Sequence, residues 1–332
     1  MALTTQELQQ RIKELKERLD VTVVAHFYQR DEVFEVGDIT GDSLELAKRT
    51  RDDDAEFVLF CGVGFMGESV KVLSPHKRVV MPKIACCSMA RMIDSIYFDE
   101  SVKAMNDAGI ASEDILPITY INSNAEVKAK VGKMGGMVCT SSNAKKIIST
   151  ALEEGKKILF IPDRCLGQNI ANQMGLRSCV IGDGSDMNEA DIVCYDGFCS
   201  VHQLFTLEDI DFYRKKYPGI KIAVHPECDP AICNAADFVG STSQLIRYIT
   251  ELPEEQKVAV GTEFNLVNRL RPKNTYVLSS TKPECPTMNE TTLQDVYDTL
   301  KAIEDGEPIN EIRLDEEVAK WARVALERMM AL

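Results

Sequence analysis

Short apolar runs alternate with amphipathic stretches along the chain, and the alternation comes round three times. Residues 4–19 read as an amphipathic helix: Leu8, Ile12, Leu15 and Leu19 share one face, and Thr4 with Glu7 fits a capping box. Strand-like runs follow at 21–25, 56–60 and 78–82, with helices predicted after Gly41-Asp42-Ser43 and after Gly62-Val63-Gly64. The second pass has predicted strands at 118–122, 136–139, 157–162 and 191–195. Its helices are predicted at 125–131 and after Thr140-Ser141-Ser142-Asn143. The third pass has runs at 221–224, 238–239, 257–260 and 275–278. A last helix is predicted over 315–330, apolar at Val318, Trp321, Ala325 and Met329.

Strands that alternate with helices pair in parallel, because the crossover helix returns the chain to the same end of the sheet. The fold expected is α/β: three αβα sandwich domains with parallel sheets, related by a pseudo-threefold repeat. The boundaries expected are 1–90, 91–200 and 201–289, with a helical segment at 290–332. The first and last helices fall outside the repeat and are expected to pack on the first or the last unit. No low-complexity segment or flexible linker separates the units.

In open parallel sheets, ligands bind beyond the carboxyl ends of the strands. His26, Tyr28, Tyr120, Asn122, His225 and Glu227 all fall there, in matching positions of three passes. Each pass also ends on a cysteine in a loop-like context: Cys87, Cys199 and Cys285. Three units with one thiolate apiece suggest one shared metal or cluster site with an open coordination position. No CxxC occurs, so ligand-spacing rules do not apply, and Cys86, Cys228 and Cys233 remain competitors. Cys61, Cys139, Cys165, Cys179 and Cys194 sit in apolar surroundings and read as buried small hydrophobes. Asp42-Ser43, Ser141-Ser142-Asn143 and Ser241-Thr242 read as helix N-caps, whose first-turn N–H groups can also hold anions.

The 332 residues are enough for a large core, and 45% hydrophobic with 27% charged residues is ordinary for a globular enzyme. Eleven cysteines, an odd number in a long chain, argue against a secreted disulfide scaffold. The formal charge of −14 and the lack of a basic run make a poor nucleic-acid binder, but do not exclude an anionic substrate. No apolar run approaches a bilayer span and no signal peptide precedes the first helix, so a cytoplasmic location and no membrane contact are expected.

Nine pieces in order resemble the quinolinate synthase family: His26-Phe27-Tyr28, Gly41-Asp42-Ser43, Cys87-Ser88-Met89-Ala90, Thr119-Tyr120-Ile121-Asn122-Ser123, Cys139-Thr140-Ser141-Ser142-Asn143, Cys199-Ser200-Val201-His202, His225-Pro226-Glu227-Cys228, Gly240-Ser241-Thr242-Ser243 and Cys285-Pro286-Thr287-Met288. The resemblance implies three αβα domains around a central [4Fe–4S] cluster ligated by Cys87, Cys199 and Cys285, with the fourth iron open as a Lewis acid. It implies a transferase that condenses iminoaspartate with dihydroxyacetone phosphate to quinolinate in de novo NAD biosynthesis. Glu227 and His225 are then the acid/base pair, with Tyr28 and Tyr120 moving a proton or bonding an enolate. His26, Ser43, Asn122, Ser142 and Thr242 would hold carboxylates and phosphate, with Ser141 a competitor for Ser142. His202 would lie at the phosphate or just behind the cluster ligand, and His76 on the surface. L-aspartate oxidase is the implied source of iminoaspartate and a candidate transient partner. Met288 replaces the second cysteine of the CxxC found in some members, so no redox switch is expected there. The competing readings are another [4Fe–4S] hydro-lyase acting on a small hydroxy acid, and a non-enzymatic iron–sulfur sensor.

Overall fold

The computed structural model describes residues 3–332. Its strands form three wholly parallel sheets. The first joins β1 (Val21–His26), β2 (Ile39–Gly41), β3 (Phe57–Cys61) and β4 (Arg78–Val80) in the order β2-β1-β3-β4. The second joins β5 (Ile115–Tyr120), β6 (Met137–Cys139), β7 (Lys157–Ile161), β8 (Ser178–Val180) and β9 (Ile192–Cys194) in the order β6-β5-β7-β9-β8. The third joins β10 (Lys221–Val224), β11 (Phe238–Val239), β12 (Val258–Gly261) and β13 (Thr275–Val277) in the order β11-β10-β12-β13. In each sheet the opening strand lies inside, between the second and third. The chain therefore reverses direction across the sheet beside that strand, and its carboxyl end faces the crevice where such folds bind ligands.

The repeat is fuller than the sequence suggests. Helices Thr5–Leu19, Ser95–Asp107 and Leu207–Lys216 precede β1, β5 and β10, so the first helix belongs to the repeat rather than outside it. Their caps are alike: Thr4, Asp94 and Thr206 each accept a first-turn N–H. Such a cap stabilises a helix start by about 1 kcal/mol. The middle sheet carries an additional edge strand, β8, paired with β9. β5 also begins three residues ahead of its expected start and runs through Pro117. β6 pairs with β5 only from Ile118 onward, which leaves the proline outside that ladder.

Two compact units result: residues 1–87 with 284–316, and residues 88–283 with 317–332. In the former, Leu8, Ile12 and Leu15 pack with Leu293, Val296 and Leu300 of the Leu293–Glu304 helix over Val21, Val23 and Leu59. Each such side chain contributes about 1.5–3 kcal/mol on burial. Arg78 also donates two bonds of 2.9 and 2.8 Å to Glu311.

The second unit holds the other two sheets and the final helix, Glu316–Ala331. That helix packs on Ala125–Lys133 beside the middle sheet, whereas the sequence pattern suggests the first or the last unit. Gly132 makes room for it: a Cβ there would stand 2.1 Å from the Trp321 carbonyl oxygen. Arg328 fixes the contact by donating to Gly136 O at 2.9 Å. Among the described residues no helix is long and apolar enough to cross a membrane.

Candidate active site

His26, which ends β1, and His225, which follows β10, lead into the same local turn. His26 Nδ1 accepts the Tyr28 backbone N–H at 3.1 Å, and His225 Nδ1 accepts the Glu227 N–H at 3.3 Å. A backbone bond to Nδ1 makes that atom the acceptor, so each neutral ring carries its proton on Nε2. The His26 and Tyr28 rings meet edge-on with centroids 4.8 Å apart. Tyr120 ends β5 at the equivalent position.

Within the second unit these strand ends converge on Glu227. Tyr120 Oη donates to Glu227 Oε1 at 2.6 Å. His202 Nδ1 lies 2.9 Å from Oε2, and His225 Nδ1 lies 3.8 Å from Oε1. The two imidazoles stack at 4.7 Å, and His202 Nε2 is 3.2 Å from Thr262 Oγ1. Tyr120, His202, His225 and Glu227 are all buried. Burial alone would raise the Glu227 carboxyl, but the two imidazoles and the Tyr120 hydroxyl outweigh it and hold its pKa at about 2. A buried carboxylate is thus kept ionised by polar neighbours, with a phenol and an imidazole at hand to exchange protons with a ligand.

The thiol of Cys199 completes the group. Its Sγ, a His202 ring nitrogen and a Glu227 carboxylate oxygen all lie within 4.8 Å of one another, close enough to share a metal ion. The loop that carries Cys199 is pressed onto β7. Gly197 forms a parallel bridge with Asp163, and Arg164 N donates to Gly197 O at 2.9 Å. A Cβ on Gly197 would lie 2.4 Å from Pro162 O, so only glycine permits the approach. The Arg164 guanidinium covers the Phe198 ring at 4.8 Å.

Exposure sorts the cysteines. Cys87, Cys199 and Cys285 are half-buried and Cys86 is exposed, while Cys61, Cys139, Cys165, Cys179, Cys194, Cys228 and Cys233 are buried. Burial pushes the Cys165 and Cys233 thiols up to about 12, and that of Cys228 well above its usual value. The three half-buried thiols suit the soft, sulfur-ligated iron of an iron–sulfur cluster.

The remaining candidates take these positions. Ser43 and Thr242 each stand one residue past the cap of their helix; Asp42 accepts from Leu44 and Glu45 N, and Ser241 accepts from Gln244 N. The middle pass differs from the expected cap. Asn143 makes no side-chain cap; its Oδ1 turns back to accept Thr140 N at 2.7 Å. Ser141 and Ser142 are half-buried in the turn ahead of that helix. Asn122 is half-buried after β5, between the buried Ile121 and Ser123.

Sequence reasoning passed over Asp163, which follows β7 and is fully buried. Its Oδ1 caps helix Arg164–Met174 through Leu166 N at 2.9 Å, while Oδ2 has no hydrogen-bond partner. Burial, then the Glu227 charge, pushes its carboxyl well above the usual range. Glu263 caps the equivalent helix after β12. An acid just beyond a strand end in two passes is the signal that could have found Asp163.

Comparison with known proteins places the whole chain in a family. A family model described as "Quinolinate synthetase A protein" matches residues 10–331. A protein of Helicobacter pylori (strain HPAG1), "Quinolinate synthase", is 56% identical over 335 residues, covering 99% of each chain. One of Streptomyces coelicolor with the same name is 40% identical, covering 98% of this chain and 88% of its own. Another, of Bacillus cytotoxicus, is 37% identical, with 99% and 94% covered. The match runs through both compact units and all three sheets, and on it the chain belongs to the quinolinate synthase family.

Proposed function

We propose that this protein condenses iminoaspartate with dihydroxyacetone phosphate to quinolinate, releasing phosphate and two waters, as a transferase of NAD biosynthesis. The observation that carries the reading is the buried Glu227 carboxylate, bonded by Tyr120 and flanked by His202 and His225, within reach of the Cys199 thiol. Forming a pyridine ring from an imine and a ketose phosphate needs repeated proton transfers at carbon, nitrogen and oxygen. Glu227, held ionised, takes protons; Tyr120 and the Nε2–H of His225 return them to developing oxygen charge. Tyr28 serves as a further proton donor. His26, Ser43, Asn122, Ser142, His202 and Thr242 hold the carboxylates and the phosphate.

Cys87, Cys199 and Cys285 would hold a [4Fe–4S] cluster, which supplies Lewis acidity from the iron that no cysteine ligates. The domains proposed remain 1–90, 91–200 and 201–289, followed by the 290–332 segment. The enzyme would work in the cytoplasm and take iminoaspartate from L-aspartate oxidase. Anaerobically purified protein, assayed for quinolinate with iminoaspartate generated in place, tests the reading. Product must require dihydroxyacetone phosphate and a loaded cluster. Fully loaded protein that forms no quinolinate would refute it.

A further inference from the structure

Two buried donors, neither among the reacting groups, grip the loops that present those groups. Asn169 lies on helix Arg164–Met174 and is 2% exposed. Its Nδ2 donates to Pro226 O at 2.9 Å and to Cys228 O at 2.8 Å, the carbonyls on either side of Glu227. With two carbonyl acceptors in front of it, the amide can face only this way, nitrogen inward. Lys128 lies on helix Ala125–Lys133 and is 1% exposed. Its Nζ donates to Ile121 O at 2.9 Å and to Ser123 O, the carbonyls on either side of Asn122.

The two arrangements do the same geometric work. A residue in a loop has a peptide plane before it and another after it. The carbonyl held ahead of each residue fixes the plane before it. The plane after it is fixed by Cys228 N donating to His225 O at 3.0 Å or by Ser123 N donating to Ile121 O at 2.8 Å. The second clamped carbonyl anchors the next plane, so the direction of the Cα–Cβ bond follows. The loops need such a hold because both lie beyond their strands, where no sheet ladder fixes the backbone. Helix Arg164–Met174 also carries Arg164, whose N–H holds the Cys199 loop through Gly197 O. One helix therefore sets the Glu227 loop against the Cys199 loop.

We propose that Asn169 and Lys128 are positioning residues: Asn169 aims the Glu227 carboxylate, and Lys128 aims the Asn122 amide, each by clamping the two flanking carbonyls. The proposal rests on the roles given to Glu227 and Asn122 above. It predicts different kinetic signatures for the two. Glu227 acts in the chemical step, so a loosened clamp there lowers kcat. Asn122 binds substrate, so a loosened clamp there raises KM.

The test uses Asn169→Ala, Asn169→Ser, Lys128→Met and Glu227→Gln as anaerobically loaded holoenzymes. Each is measured for iron content, melting temperature, kcat and KM for dihydroxyacetone phosphate. Asn169→Ala should keep its iron and lose roughly 100-fold in kcat with KM little changed, the scale of a misplacement of about 1 Å. Asn169→Ser, whose hydroxyl can serve only one carbonyl, should fall between. Lys128→Met should act mainly on KM. Asn169→Ala with full kcat, while Glu227→Gln is inactive, overturns the proposal. So does loss of folded, iron-loaded protein in both Asn169 variants, because that marks a purely structural residue. An active Glu227→Gln would instead refute the role of Glu227 and leave that failure distinguishable.

Discussion

Gly197 offers a direct way to move Cys199 without touching it. In Gly197→Ala the new methyl would lie 2.4 Å from Pro162 O. Ordinary contact begins near 3.5 Å, so the loop must retreat by about 1 Å. Pro162 cannot give way instead. It follows β7, which is held by β5 on one side and β9 on the other. The retreat works against the Gly197 bridge to Asp163 and the bond from Arg164 N. Overpacking of this kind costs about 1–3 kcal/mol. Shifting the proposed cluster ligand Cys199 and its neighbours by about 1 Å should cost roughly 100-fold in turnover. Iron and sulfide per chain, kcat and the melting temperature read all three effects on one preparation. Gly64→Ala is the control: its nearest neighbours would be Ala85 O at 3.5 Å and Ile84 Cγ2 at 3.8 Å, ordinary contacts. If Gly197→Ala matched Gly64→Ala in iron content, turnover and melting, the loop would not be held as described.

Replacing Cys87, Cys199 or Cys285 by alanine should abolish iron binding and activity together, whereas Cys86→Ala should keep both; elemental analysis beside the quinolinate assay decides. Tyr120→Phe removes a bond of 2.6 Å to a buried carboxylate. Such bonds contribute about 1.5–3 kcal/mol. The Glu227 pKa should therefore rise toward its usual range, and kcat/KM should fall by roughly 10- to 100-fold. Asp163 has its carboxyl raised on folding, so the native state binds the extra proton. Its penalty on stability grows as pH climbs from the unfolded carboxylate range, about 4, toward the raised folded value. Asp163→Asn keeps the cap acceptor without that charge, so its melting temperature should gain on wild type as pH rises; a constant difference across pH would refute the assignment.

What the sequence made legible was what the repeat multiplied. His26, Tyr120 and His225 stand out because three short apolar runs end in comparable residues, and a parallel sheet puts all such ends on one side. Residues that act through tertiary contact were hidden. Asn169 reads as one polar position on a helix, and nothing local says that its partners are Pro226 and Cys228, 57 and 59 residues away. Lys128 looks like a solvated charge until its burial is known. The last helix has an apolar face suited to any neighbour; Gly132, on another helix, decides where it docks. Helix Ser95–Asp107 escaped notice as part of the repeat because it leaves Ile96 and Tyr97 exposed, which blurs its amphipathic pattern.

The core of the first unit is shared between residues near the start of the chain and residues near 300. On a ribosome, Leu8, Ile12 and Leu15 therefore emerge long before Leu293, Val296 and Leu300 exist to cover them. At ordinary elongation rates that interval is roughly 15–60 s. Cys285 belongs to the same unit as Cys87 yet is synthesised nearly two hundred residues later. The nascent chain must keep an apolar helix face uncovered until the residues near 300 have been made. Folding of this unit thus waits until the chain around residue 300 has been made, and any cluster held by the proposed ligands Cys87 and Cys285 can only follow.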